Sequence, residues 1–209
     1  MEFSNSYELL KYLDKFDLMK NKPKYWWPNA GTFEVVVGAI LTQNSKWERV
    51  EEALENIREI GITPENIASL DYEYLASLIK PVGFYNQKSK RLIILSRNLL
   101  RYFGDFENFK ENVTREWLLN QKGIGYESAD SILCYGCFRD IMVVDSYTNR
   151  LLKRAGYQFD DYEELREWCE RGILENWEKI SDEYESLNHC YATFHGKIVE
   201  FMKKRLKKH

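Results

Sequence analysis

Apolar residues recur at intervals of three and four through Tyr7–Leu18, Val50–Ile60, Leu92–Phe103 and Leu187–Leu206. That spacing puts them on one face of an α-helix. Helix starts are marked between these stretches. Thr63-Pro64 offers an N-cap followed by proline in the first turn, and Asp71 and Thr114 precede the short amphipathic runs EYLASLI and REWLLNQ. Gly61, Gly104 and Gly156 stand where C-caps belong. VVVGAILTQN carries the β-branched residues of a strand, but its neighbours are helical and no partner strand is in sight, so a buried helix is expected. Repeats and low-complexity linkers are not visible.

Composition narrows the picture. Only 11 Gly and 4 Pro occur in 209 residues, which suits long helices with few tight turns. With 44% hydrophobic residues and a net charge of -3, the chain can bury a core and is not expected to be disordered. The longest apolar run, Val35 to Leu41, is far short of the ~18–20 residues of a membrane span, so no membrane association is expected. MEFSNSYELL has no basic region followed by an apolar stretch, so no signal peptide and a cytoplasmic location are expected. The four cysteines, Cys134, Cys137, Cys169 and Cys190, are then read as buried reduced thiols; Cys134 and Cys137 form a CxxC without the second close pair that zinc needs. The pI of about 5.8 is not the footprint of a nucleic-acid binder, but the charge is uneven. His195 to His209 holds Lys197, Lys203, Lys204, Arg205, Lys207 and Lys208 against Glu200 alone. A solvated helix end explains this as well as a DNA contact does.

The stretch Thr114–Leu152 carries the most chemistry. Trp117–Gln121 is expected as a helix, Lys122-Gly123-Ile124-Gly125 as a hairpin whose glycines allow positive φ or close backbone approach, and Tyr126–Phe138 as a second helix. Glycines opening a helix expose N–H groups at its positive end, a phosphate-binding arrangement, although a glycine turn is often only a turn. Ile141-Met142-Val143-Val144 ends abruptly in Asp145, with Ser146–Ala155 expected as the next helix. Asp145 reads as an N-cap. A catalytic role is compatible, because the hydrogen bonds an N-cap receives keep it ionised.

A helix, a Gly-x-Gly hairpin, a second helix and Val-Val-Asp heading a third resemble the helix-hairpin-helix superfamily of DNA glycosylases, to which endonuclease III belongs. Bifunctional members carry a lysine two residues after the second hairpin glycine and an aspartate eighteen residues later. Here those positions are Glu127 and Asp145. The resemblance therefore implies Asp145 as the catalytic carboxylate and, lacking a lysine at 127, no Schiff-base lyase step. The four cysteines have neither the spacing nor the location of the endonuclease III ligands, so no iron–sulfur cluster is expected. Trp26-Trp27-Pro28-Asn29, Leu41 to Trp47, Gly83 to Lys88 and Phe194-His195-Gly196-Lys197 resemble the 3-methyladenine DNA glycosylase III group over nearly the whole chain, with Trp47 departing from a phenylalanine.

That resemblance implies a role for each candidate residue. Trp26, Trp27, Pro28, Trp47 and Lys197 face a flipped base. Gln43 and Asn44 meet DNA at the gap it leaves. Lys122, Gly123, Ile124 and Gly125 bind phosphates. The backbone carbonyls of Leu119, Gln121 and Ile124 hold K+ or Na+. A core role fits each Trp, a loop role Gln43 and a surface role Lys197 equally well on the residues alone. His189 and His195 are read as structural. The expected fold is all-α and two-lobed, with residues 31–139 forming one lobe around the hairpin at 117–138, and 1–30 plus 140–209 forming the other. The expected activity is monofunctional removal of cationic alkylated purines, chiefly 3-methyladenine, from damaged double-stranded DNA by a monomer. The alternatives are an endonuclease III-like enzyme for oxidised or mismatched pyrimidines and a non-catalytic DNA-binding module.

Overall fold

The structure, a computed structural model, describes residues 3–206, so Lys207, Lys208 and His209 of the basic tail lie outside the described residues. The described residues form helices and no strand: α1 Ser6–Leu13, α2 Phe33–Leu41, α3 Trp47–Arg58, α4 Pro64–Ser69, α5 Tyr72–Leu78, α6 Tyr85–Phe103, α7 Phe106–Asn112, α8 Arg115–Leu119, α9 Tyr126–Ser131, α10 Ser146–Arg154, α11 Tyr162–Leu174 and α12 Leu187–Leu206. Many starts follow from local chemistry. Thr63, Asp71, Thr114 and Asp145 each cap a helix by accepting a backbone N–H, and Pro64 stands in the first turn of α4. None of the described helices is long and apolar enough to cross a membrane.

The chain divides into two compact units. One comprises Asn29–Cys137. Its centre is α2, all nine residues of which are buried, so the VVVGAIL run is a buried helix as expected. Glu34 on α2 is neutralised by a bidentate Arg58 (2.6 and 3.0 Å) and also accepts from Asn29 (2.7 Å). α4 and α5 pack on α6. Across α8 and α9, the fully buried Asp130 takes a two-point ion pair from Arg115 (2.6 and 3.0 Å).

The expected helix 126–138 is shorter and irregular. α9 ends at Ser131 and runs into a π-helical turn, Ile132–Gly136, closed by Cys137 N–H donating to Ile132 O at 3.0 Å. Phe138 then adopts φ +53°, which stops any continuation. Similarly, α8 covers 115–119 rather than 117–121, and α1 gives way at Asp14 to one 3₁₀ turn before Asp17 at φ +32°.

The other unit comprises Met1–Pro28 and Phe138–His209. α1 packs on α11 and α12, and α10 on α12. Leu9, Leu10, Leu13, Leu151, Ile173 and Phe194 meet in its core. The apolar Met142-Val143-Val144 strap is buried and delivers Asp145 to the head of α10.

Candidate active site and hairpin

Asp145 is held from two sides. As the N-cap of α10, its Oδ1 accepts from the Thr148 backbone N–H (2.8 Å) and hydroxyl (3.0 Å). Its Oδ2 lies 3.4 Å from Nε2 of His195 on α12, and its side chain is 13% exposed. Burial pushes the carboxyl up, but the His195 interaction and the two Thr148 donors outweigh it and hold Asp145 below the usual carboxylate range. The group is therefore an anion in a largely dry setting, where a developing positive charge is stabilised far more than in water.

The same histidine touches Trp26. Their rings meet edge to face at 5.2 Å, and Trp26 meets Trp27 edge to face at 6.2 Å. Trp26 has φ +64°, which is costly for a bulky residue and persists only where surroundings dictate it. Those surroundings are visible: Nε1 donates to Glu200 Oε1 at 3.2 Å, Lys22 holds the other Glu200 oxygen at 3.1 Å, and α12 comes so close that only Gly196 fits beneath the ring. Trp27 is buried and supports this arrangement, whereas Trp26 and Pro28 are half-buried.

Lys197 directly follows Gly196 on α12. Its Nζ lies 2.6 Å from Asp14 Oδ1 and 3.1 Å from the Tyr184 hydroxyl. The ammonium is thus offset by a carboxylate, as a lysine near a cationic base would need to be.

The hairpin belongs to the other unit. Gly123 has φ +85°, a conformation that calls for glycine, and a Cβ there would also displace the Arg91 guanidinium. Lys122 and Gly125 are exposed, and Gly125 is the N-cap residue of α9. Ile124 differs from expectation: it is buried and its N–H donates to Gln121 O at 3.1 Å, so that amide is committed to the turn rather than to a phosphate. The same bond occupies one lone pair of the Gln121 carbonyl. Neutral carbonyl oxygens at Leu119, Gln121 and Ile124 suit a monovalent cation in kind. No group of three or more His, Cys, Asp and Glu among the described residues is placed to hold a metal.

Gln43 is tied to the hairpin rather than projecting freely. Its Nε2 donates to Gly123 O and Ser128 Oγ, both at 2.9 Å, and its Oε1 accepts from Arg91 at 3.3 Å. Asn44 is exposed at φ +52°, and Trp47, half-buried, opens α3. Beneath this loop lies Lys88, 1% exposed, donating to Leu41 O (2.9 Å), Gln43 O (2.8 Å) and Ser45 Oγ (3.0 Å). Burial and the nearby Arg91 push its pKa down to about 8. Lys88 and Arg91, one turn apart on α6, fix the loop and the hairpin to one another.

The sequence alone points to no site role for Asp14, Glu200, Lys88 or Arg91, and His195 reads there as structural. One signal was available: Gly196 interrupts an otherwise long helix, which marks a close approach. His189, by contrast, is structural, with Nδ1 accepting from Glu185 N–H and Nε2 3.2 Å from Lys24 O.

An all-α chain with a helix–glycine hairpin–helix and an aspartate capping the helix that follows is a helix-hairpin-helix protein. Residues 37–175 match the HhH-GPD superfamily of base excision DNA repair proteins, and the chain belongs to that superfamily. It is similar to the H. pylori 3-methyladenine DNA glycosylase MagIII, solved with 1,N6-ethenoadenine, at 50% identity and a TM-score of 0.94, covering 97% of this chain and 99% of that one. A Methanocaldococcus jannaschii protein named for DNA repair glycosylase function is 35% identical over 98% of this chain and 91% of its own length. An endonuclease III–DNA covalent intermediate shares the fold at 17% identity, with a TM-score of 0.70 over 95% of this chain and 86% of that one.

Proposed function

We propose that the protein is a monofunctional DNA glycosylase that hydrolyses the N-glycosidic bond of cationic alkylated purines, 3-methyladenine foremost, in double-stranded DNA. The observation that carries this reading is the ionised, doubly anchored Asp145 linked through His195 to the strained Trp26. The similar H. pylori protein, named for 3-methyladenine, supports the substrate class.

The chemistry follows from charge. An N3-alkylated adenine is already cationic, so when the C1′–N bond breaks, the electron pair stays with the base and a neutral purine departs. The sugar becomes oxocarbenium-like, as in glycoside hydrolysis. Asp145 stabilises that charge and accepts the proton as water bonds to C1′. The target nucleotide must first leave the stack. Trp26, backed by Trp27 and with Pro28 beside it, offers an aromatic face to a cationic base, a contact worth roughly 1–2 kcal/mol when desolvated. Trp47 and Lys197 are assigned to the base by the same resemblance, Lys197 with its charge met by Asp14.

The exposed Lys122 and the N–H groups of Gly123 and Gly125 bind phosphates without reading sequence. Leu119, Gln121 and Ile124 carbonyls would hold K+ or Na+, which would add positive charge next to a phosphate. Asn44 meets DNA, and Gln43 positions the hairpin beside it. The enzyme works as a monomer in the cytoplasm.

Glu127 stands where a Schiff-base lysine would be, so the product is an intact abasic strand. Methylated duplex DNA incubated with the protein should release 3-methyladenine, and an abasic duplex should not be nicked above background. Release confined to oxidised or mismatched pyrimidines would replace the substrate assignment, binding without release of any base would replace the enzymatic one, and efficient nicking would refute the Glu127 argument.

A further inference from the structure

We infer that His195 is a positioning residue that holds Oδ2 of Asp145 in place for the reaction. The inference deepens the reading above and rests on it.

The geometry is one-sided without His195. Thr148 supplies two donors, both to Oδ1. Oδ2 faces Nε2 of His195 at 3.4 Å. Both partners are sheltered, with side chains 5% and 13% exposed, so a polar contact of this length acts in low dielectric and is not replaced by bulk water. Three helices bring groups to the carboxylate. α10 contributes Thr148. α12 contributes His195. α11 contributes Cys169, fully buried and kept a neutral thiol because burial, Glu170 and Asp145 itself all push its pKa upward. His195 is therefore the group that can set both the orientation of Oδ2 and the ease with which Asp145 is protonated. Its other face packs edge-on against Trp26, whose ring is fixed by Glu200. One imidazole thus registers the carboxylate against the aromatic face proposed for the base.

The two functions of the ring separate by substitution. His195→Phe keeps an aromatic edge for Trp26 and deletes Nε2. His195→Gln restores a donor near the Nε2 position. Burial then acts on Asp145 in His195→Phe with less opposition, so the carboxyl titrates at higher pH.

Two readouts are needed. The first is the 13C titration of the Asp145 carboxyl, assigned with Asp145→Asn, which does not depend on activity. The second is the single-turnover rate of 3-methyladenine release against pH, with DNA affinity measured alongside. The expected result for His195→Phe is a carboxyl midpoint and an acid limb displaced upward together by about one pH unit, a rate at pH 7 about 10- to 100-fold lower, and DNA affinity within about twofold of wild type. His195→Gln should bring both midpoints back toward wild type and recover most of the rate. An unmoved carboxyl midpoint, a uniform rate loss with no movement of the acid limb, or no rescue by glutamine would each overturn the inference. If His195→Phe fails to fold, the glutamine variant decides alone: it must stay active with a wild-type-like limb. If wild type releases no base from any lesion, the proposed substrate is wrong, and the carboxyl titration still judges the role of His195.

Discussion

Gly196→Ala separates the stability of this protein from the placement of Trp26. A Cβ built on Gly196 lies 2.6 Å from Trp26 Cβ and 2.7 Å from Cδ1, whereas real Cβ atoms essentially never come under 3.0 Å and ordinary contact starts at 3.4 Å. The ring or the helix must retreat by about 1 Å to restore contact. Two opposing energies apply. Gly→Ala in a helix interior gains about 1 kcal/mol in propensity, and forcing a methyl into a filled space costs about 1–3 kcal/mol. The net destabilisation should therefore be small, between about 0 and 2 kcal/mol by urea unfolding. The rate of base release should suffer more. A 1 Å displacement of a positioning group costs on the order of 10²-fold, and Trp26 cannot slide freely because Glu200, His195 and Trp27 hold it. The cycle with Trp26→Gly isolates the contact, because alanine would keep the Cβ that lies 2.6 Å from the new methyl. In that background the alanine at position 196 meets none of these atoms and should stabilise by about 1 kcal/mol, giving a coupling of roughly 1–3 kcal/mol between positions 26 and 196. Gly196→Ala with wild-type release, or with the same stability effect in both backgrounds, would refute the claim that this glycine exists to seat Trp26.

Two further substitutions test the scaffold of the hairpin. Arg115→Ala strips the buried Asp130 of its bidentate partner across α8 and α9 and should lower unfolding free energy by about 3–5 kcal/mol, with DNA binding weakened as the hairpin loosens; a loss under about 1 kcal/mol would show the pair to be dispensable. Lys88 has a folded pKa near 8 and an ordinary one near 10.5, so between those values the unfolded chain binds the extra proton and stability rises with pH. Urea unfolding at pH 7 and pH 10 should show wild type gaining up to about 3 kcal/mol relative to Lys88→Met, and parallel pH profiles for the two proteins would contradict the assignment.

Much of the fold was legible because it is written locally. Thr63, Asp71, Thr114 and Asp145 cap helices through side chains two or three residues from the N–H groups they receive, and α12 follows its apolar spacing from Leu187 to Leu206. The π-helical turn at Ile132–Gly136 was not legible, since a local widening of the helix leaves the apolar spacing nearly unchanged. The site was partly legible for the same reason. Asp145 and the hairpin glycines announce themselves through chain breaks and turn chemistry. His195, fifty residues from Asp145, reaches it only by the packing of α12 beside α10, and nothing in FHGK encodes that neighbour. Gln43 looked like a loop amide able to probe DNA. Its tie to Gly123 and Ser128 depends on residues eighty and more positions away.

The central claim is that Asp145 performs hydrolysis on a cationic purine. The most direct measurement is single-turnover release of 3-methyladenine from methylated duplex DNA by wild type and by Asp145→Asn, with duplex binding measured on the same proteins. Wild type should release the base and leave the strand intact. Asp145→Asn should bind the duplex about as well and release at least about a hundredfold more slowly. Release by Asp145→Asn at the wild-type rate would contradict the mechanism.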